Sequence, residues 1–295
     1  MPPAAGTMST MHASQHARVG RLLLAACVSI AAVSLVTVLI ALPAGAPMSA
    51  DPGAPTVPWW VVLLPAAVGI VLALLLPPSP RRQTALVVST PRFHASTWLL
   101  LALAGAFPLI VSVLGIAGGE DYVVAKLLLL IVVPAIVVGV LRGVRIVRVP
   151  GAWRWWAPAL VITVWVLLSQ IAPWNPEHDL SGIDPLVLAI SAAATAITAG
   201  LGEELFYRRW LQTRLEAGLG PWPGIAVASL AFALMHLGSH GSGAIAVDIA
   251  RVVVSQGSFG LLMGVLWWRY RNFAAIVTAH LIVNGWPVLV HVVHG

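Results

Sequence analysis

A chain of 295 residues that is 59% apolar and 9% charged, with a mean hydropathy of +0.94, cannot hide its hydrocarbon in one water-soluble core; an ordinary soluble domain is excluded. A net charge of +6 would suggest nucleic acid in a soluble protein, but in a chain of this hydropathy arginines orient helices, and no nucleic-acid partner is expected. The single cysteine, Cys27, excludes an intramolecular disulfide and a thiolate metal site, so any metal must be held by His, Asp or Glu. The fold class expected is all-α: a polytopic transmembrane helical bundle of about eight or nine spans, solvated by membrane lipids.

Residues 1–18 are small and polar and read as a disordered tail ahead of Arg18 and Arg21. The first span, 22–42, is too long for the apolar core of a cleaved signal peptide; although ALPAGA resembles a cleavage site, it reads as a retained helix. A Pro- and Gly-rich loop leads to a second span, 59–76, opened by paired tryptophans and closed by PPSPRR. A connection carrying Arg81, Arg82 and Arg92 precedes the third span, 97–116, and GGEDY turns the chain into a fourth, 122–141. Lys126, one turn inside that span, reads as a snorkelling side chain. The segment RGVRIVRVPGAWRWW is a basic, aromatic interfacial loop before a fifth span that ends at Ala172. In the acidic turn that follows, Glu177 and His178 have metal-ligand chemistry, but adjacent loop residues face different ways and a solvated turn is expected.

A sixth helix starts at Pro185, a natural first-turn residue. Its small-residue face, Ser191, Ala192, Thr195, Ala196, Ala199 and Gly200, suits burial in the bundle centre. It runs into AGLGEELFYRRW, where Glu203 and Glu204 are costly groups in a charge-poor chain. On an α-helix Glu204 and Arg208 form an i,i+4 pair with the acid N-terminal, while Glu203 points about 100° round the cylinder and is free for other work. The alternative is a glutamate pair at a membrane surface, neutralised by Arg208 and Arg209. A seventh helix at 223–237, a GSHGSG loop, an eighth at 244–268 and a ninth at 273–293 complete the chain, which has no internal repeat. Three segments result: the tail 1–18, membrane helices 19–183, and a core of membrane helices at 184–295.

Charge placement gives an orientation. With a cytoplasmic N-terminus, Arg18, Arg21, Arg81, Arg82, Arg92, Arg142, Arg145, Arg148, Arg154, Arg208, Arg209, Arg214, Arg269 and Arg271 fall inside, leaving only Lys126 and Arg251 of the 16 basic residues. Asp51, Glu120, Asp121, Glu177, Asp179 and Asp184 fall outside.

Polar residues inside the last spans carry the chemistry. His236 follows Phe232 by four residues, and His280 and Asn284 stand at i and i+4 on one face. Counted at about 1.5 Å per residue from the inner ends, His280 and Asn284 lie roughly 10 to 17 Å deep and His236 about 20 Å, with Glu203 near the inner boundary of its helix. A single membrane histidine is often a structural hydrogen-bonding residue, but two histidines, an asparagine and two glutamates on three helices point to a site. Together they offer a carboxylate to take a proton from water, imidazoles to position the water or bind Zn²⁺, and His or Asn donors for an oxyanion. A covalent nucleophile has less support, because Ser239 and Ser242 sit in a loop without a nucleophile motif and Cys27 has no evident base.

The motifs Glu203-Glu204-x-x-x-Arg208, Phe232-x-x-x-His236 and His280-x-x-x-Asn284 resemble those of the CPBP intramembrane proteases, also called the CAAX protease and bacteriocin-processing or Abi family. The resemblance covers about residues 185–293. It implies a CAAX-protease-like catalytic core over 184–295, with an intramembrane cavity that hydrolyses peptide bonds of membrane-associated, CAAX-type prenylated or otherwise lipid-modified substrates. Glu203 is then the water-activating base beside His236, His280 and Asn284 stabilise the oxyanion, and Glu204 and Arg208 hold the motif helix. Family members are described both as zinc enzymes and as metal-independent glutamate proteases, so His236 and His280 are alternatively zinc ligands. Two rivals come from other classes: a transporter, for which Asp248 and Arg251 would be a charge relay instead of an internal ion pair, and a non-catalytic scaffold or immunity protein that retains the motifs structurally.

Overall fold

The computed structural model describes residues 5–47, 55–79, 83–116, 118–148, 155–176, 180, 182–238 and 244–294. The expectations placed on Asp51, Arg81, Arg82, Arg154, Glu177, His178, Asp179, Ser239 and Ser242 lie outside the described residues. Nine helices occur among those described, and they make an all-α polytopic fold. They are α1 (Ala5–Ala41), α2 (Trp59–Leu75), α3 (Thr90–Leu114), α4 (Gly119–Leu141) and α5 (Trp156–Ile171), followed by α6 (Pro185–Leu219), α7 (Pro221–Leu234), α8 (Ile245–Tyr270) and α9 (Phe273–His294). Six of them are long and apolar enough to cross a membrane, and α2, α5 and α7 are shorter apolar helices. Their outward faces carry bare hydrocarbon: Val113 is 83% exposed and Ile40 and Leu75 are each 76% exposed, a surface suited to lipid and not to water.

Local chemistry fixes the element ends. The Asp184 side chain accepts hydrogen bonds from the Leu186 and Val187 amides at 2.9 and 3.2 Å, and Pro185 occupies the first turn, so α6 starts where its sequence directs. Gly220, at φ +91°, turns the chain from α6 into α7, and Pro221 opens the new helix. A Cβ at Gly224 would stand 2.6 Å from the Glu216 backbone nitrogen, so only glycine lets α7 fold back this closely on α6. At the far end of α8, Arg271 adopts a left-handed conformation at φ +47°, and Asn272 accepts a bond from the Ala275 amide to start α9.

Several elements differ from the sequence reading. Helix α1 reaches back through much of the segment read as a tail, as a helix can once a long apolar stretch has nucleated it. Two connections read as loops pair with each other: β3 (Gln83–Val87) runs antiparallel to β4 (Val144–Arg148), which satisfies the backbone of both links. A smaller pair, β1 (Ala46–Pro47) with β2 (Thr56–Val57), joins α1 to α2, where the Trp59 indole donates to the Leu42 carbonyl at 2.8 Å. The small-residue face of α6 is not buried over its whole length. No residue of Pro185–Thr195 is buried, Ser191 and Thr195 are exposed, and burial begins at Thr198. The glutamates are not at the inner boundary of this helix either, because it continues past them to Leu219 for a length of 35 residues.

Two apolar clusters meet around α7. One unites α2, α5, α8 and α9 through Trp165, Leu262, Leu266 and Ile276; the other unites α3, α4, α6 and α7 through Phe107, Leu130, Phe206 and Phe232. Phe259 of α8 packs against both, and the polar residues of α6 and α9 lie at this seam.

Candidate active site

The motif segment of α6 winds more widely than an α-helix, with i→i+5 bonding over Ala196–Gln212. Such winding is frequent at functional sites, and it brings successive side chains closer in direction than α-helical winding does. Both glutamates consequently face the interior: Glu203 is 1% exposed and Glu204 is fully buried. The expectation that Glu203 stands apart from Glu204 is corrected by α9, whose His280 reaches both.

Two glycines permit the approach. A Cβ at Gly200 would meet Leu281 Cδ2 at 2.4 Å, so its absence lets α9 lie close enough for His280 to enter the seam. A Cβ at Gly202 would meet Ile131 Cδ1 at 2.7 Å, which gives α4 the same access from another side. The tripeptide Gly200-Leu201-Gly202 ahead of the glutamates is therefore a packing requirement.

His280 Nδ1 donates to Glu204 Oε1 at 2.7 Å, and its Nε2 stands 3.8 Å from Glu203 Oε2. Because Nδ1 faces a carboxylate, it carries a proton, and Nε2 is the atom presented toward Glu203. The i,i+4 partner of Glu204 is also in place, with Arg208 Nε 3.5 Å from Oε2. Arg208 is fully buried, and its guanidinium lies 4.6 Å from the centre of the Phe232 ring. None of its three nitrogens makes a hydrogen bond among the described residues.

Phe232 is the hub of this arrangement. Its ring meets those of Tyr207, His236, His280 and Phe259 at 5.5, 5.0, 6.1 and 6.2 Å, mostly edge to face. His236 is half-buried one turn further along, just beyond the end of α7. Its Nδ1 donates to the Phe232 carbonyl at 2.9 Å, which leaves Nε2 as the nitrogen able to accept a proton, and the ring stands within electrostatic range of Glu203. Asn284 is exposed, while His280 on the preceding turn is buried.

Lys126 of α4 was read as snorkelling, and the structure overturns that reading. The residue is 8% exposed, and its ammonium donates to Glu203 Oε1 at 2.7 Å. The available signal was its isolation, a single charge in the stretch 123–141 that is otherwise without polar side chains. Asp248 and Arg251 approach to 3.5 Å on α8 and form an ion pair, as expected from their i,i+3 spacing.

A zinc centre does not fit these residues as placed. Among the described residues no group of three His, Cys, Asp or Glu stands in position to hold a metal ion. In addition, Lys126 occupies one oxygen of Glu203.

Comparison with known proteins bears on this cluster directly. No curated protein and no solved structure matches the chain. Residues 185–286 match the family model described as type II CAAX prenyl endopeptidase Rce1-like. That range holds Glu203, Glu204, Arg208, Phe232, His236, His280 and Asn284, and it leaves out Lys126. The chain is thus a multi-pass membrane protein whose residues 185–286 are similar to the Rce1-like type II CAAX prenyl endopeptidases.

Proposed function

We propose that the protein is an intramembrane endopeptidase that uses Glu203 as the base for a water molecule and acts on membrane-associated peptides, with prenylated CAAX-type chains as the leading substrate class. The observation that carries this reading is the buried approach of Glu203 Oε2 to His280 Nε2, 3.8 Å, where Oε2 has no hydrogen-bond partner among the described residues. A gap of that size between two polar atoms suits a bridging water.

In the reaction so assigned, Oε2 takes a proton from the water as its oxygen adds to the scissile carbonyl carbon. Negative charge then develops on the carbonyl oxygen; both Nδ1 hydrogens are already engaged, so a histidine donates to it only through a protonated Nε2. Collapse of the tetrahedral species breaks the C–N bond, and the proton held by Glu203 passes to the departing amine. The second proton of the water passes from the new carboxyl group to the amine, so a carboxylate and an ammonium group result and Glu203 is again ionised. Glu204 fixes the tautomer and orientation of His280 and Arg208 balances Glu204, while the Asn284 amide, exposed on the next turn of α9, is assigned as a donor to the oxyanion. No step is routed through a metal. The arginine asymmetry supports a cytoplasmic N-terminus and a cavity that opens toward the inner leaflet.

The test uses purified protein in liposomes with a quenched peptide carrying a prenylated cysteine. Glu203→Gln is expected to retain the fold, followed by thermal unfolding, and to lose cleavage; chelators should leave the parent activity unchanged. Full cleavage by Glu203→Gln would remove this mechanism, and inhibition by a chelator reversed by Zn²⁺ would replace its metal-free form.

A further inference from the structure

The N-terminal helices enter the catalytic seam at one point, through α4. We propose that Lys126 is a positioning residue of the active site, holding Glu203 Oε1 so that Oε2 alone is presented to water. The inference rests on the endopeptidase reading of Glu203 and adds to it a residue from outside the 185–286 stretch.

Four observations carry it. The first is the contact itself, 2.7 Å between Lys126 Nζ and Glu203 Oε1, made between side chains that are 10% and 1% exposed. The second is the asymmetry it creates, since Oε1 is bonded while Oε2 has no hydrogen-bond partner among the described residues. The third is the platform beneath the ammonium: Nζ stands 4.7 Å from the centre of the Tyr122 ring, one turn earlier on α4, and that ring packs 5.8 Å from Phe107 of α3. The last is the close approach of α4 to α6 at Gly202, where a side chain would displace Ile131.

A lysine near the end of a membrane helix ordinarily extends its stem toward the headgroups. Here the stem turns inward instead, and an ammonium kept in the interior needs a compensating charge. Glu203 supplies it. The same bond does chemical work on Glu203, because a carboxylate held at one oxygen cannot rotate its other oxygen out of line with the water site. Catalysis that depends on alignment loses about 100-fold when a group shifts by roughly 1 Å.

Lys126→Met preserves length and apolar volume while removing the charge. It is expected to lower kcat about 10- to 100-fold, with KM within about two-fold of the parent. Lys126→Arg, which restores the cation, should recover most of the lost kcat. Stability should fall in Lys126→Met under either reading, because Glu203 loses its buried partner; a purely structural lysine differs in giving no recovery of kcat in a folded Lys126→Arg protein, and that result overturns the proposal. Parent-like kcat in Lys126→Met overturns it as well. If Lys126→Met does not accumulate, Tyr122→Leu is the second readout: removing the ring beneath the ammonium lowers kcat several-fold at unchanged KM, and an unaltered kcat there rejects the assignment. Glu203→Gln, run alongside, separates the two readings. An inactive Glu203→Gln beside a fully active Lys126→Met sinks the role of Lys126 alone, whereas an active Glu203→Gln sinks the endopeptidase mechanism with it.

Discussion

Arg208 has an unforgiving position. It is fully buried, its nearest anion is Glu204 at 3.5 Å, and the face of Phe232 covers its guanidinium. Removing it would leave Glu204 with only His280 as partner in an interior of low polarity. Loss of one member of a buried pair costs about 3–5 kcal/mol, because the remaining charge keeps its desolvation penalty. Arg208→Ala should therefore lower both the amount of folded protein and the unfolding midpoint, as measured by thermal denaturation in detergent, whereas Glu203→Gln leaves an amide to accept from Lys126 and should lose turnover with a smaller loss of stability. An Arg208→Ala protein with parent-like stability and no activity would move Arg208 from the scaffold into the chemistry. Most of this cluster was legible in the sequence, since carboxylates and imidazoles at four-residue spacings on successive apolar helices have few reasons to be there. Lys126 was not legible in the same way: a lone lysine near a helix end has an inexpensive alternative in snorkelling, and only tertiary contact decides between the two. Spacing places Asn284 on the face of His280, but it does not tell that burial falls within that single turn, from a buried His280 to an exposed Asn284.

At the level of helices, α6 organises the bundle through what it lacks. Its glycines at 200 and 202 admit α9 and α4 on different sides, and the catalytic geometry depends on both approaches. A branched side chain at Gly200 would collide with Leu281 and push α9, and with it His280, away from Glu204. Overpacking of this kind costs about 1–3 kcal/mol. Gly200→Val should lose that much stability and most of its turnover, and adding Leu281→Ala to the same chain should recover part of both by vacating the space. If Gly200→Val is indistinguishable from the parent in stability and kcat, the helix contact does not set the site. Hydropathy located these helices but misjudged their extents. In α6 the charges suggested a boundary, whereas the interior accepts them in pairs, and the chain stays helical to Leu219. The β3–β4 pairing was invisible for a different reason: its strands are five residues each and lie far apart in sequence, so no local pattern links them.

Across the whole molecule, the family-related stretch and the preceding helices form one interdependent bundle. Helix α8 packs between α1, α2 and α7, α9 packs on α5 and α6, and α4 supplies the cation for Glu203. The order of the helices, combined with the segregation of arginines, predicts how this bundle sits in a membrane. Arg142 and Arg145 at the end of α4 and Arg269 and Arg271 at the end of α8 belong on the cytoplasmic side, while the link between α5 and α6, with Asn175 and Asp184, belongs on the other. This assignment requires the short helices α2, α5 and α7 to connect opposite faces, although each is shorter than a typical span, and it is therefore open to a decisive measurement. The single cysteine makes that measurement simple. In a Cys27→Ser background, Asn175→Cys should react with a membrane-impermeant maleimide added to intact cells, and Arg142→Cys should react only after the membrane is opened. Labelling of both positions from one side would mean that at least one short helix turns back within the bilayer, and the parity of the bundle, with the direction in which the catalytic seam opens, would have to be reassigned.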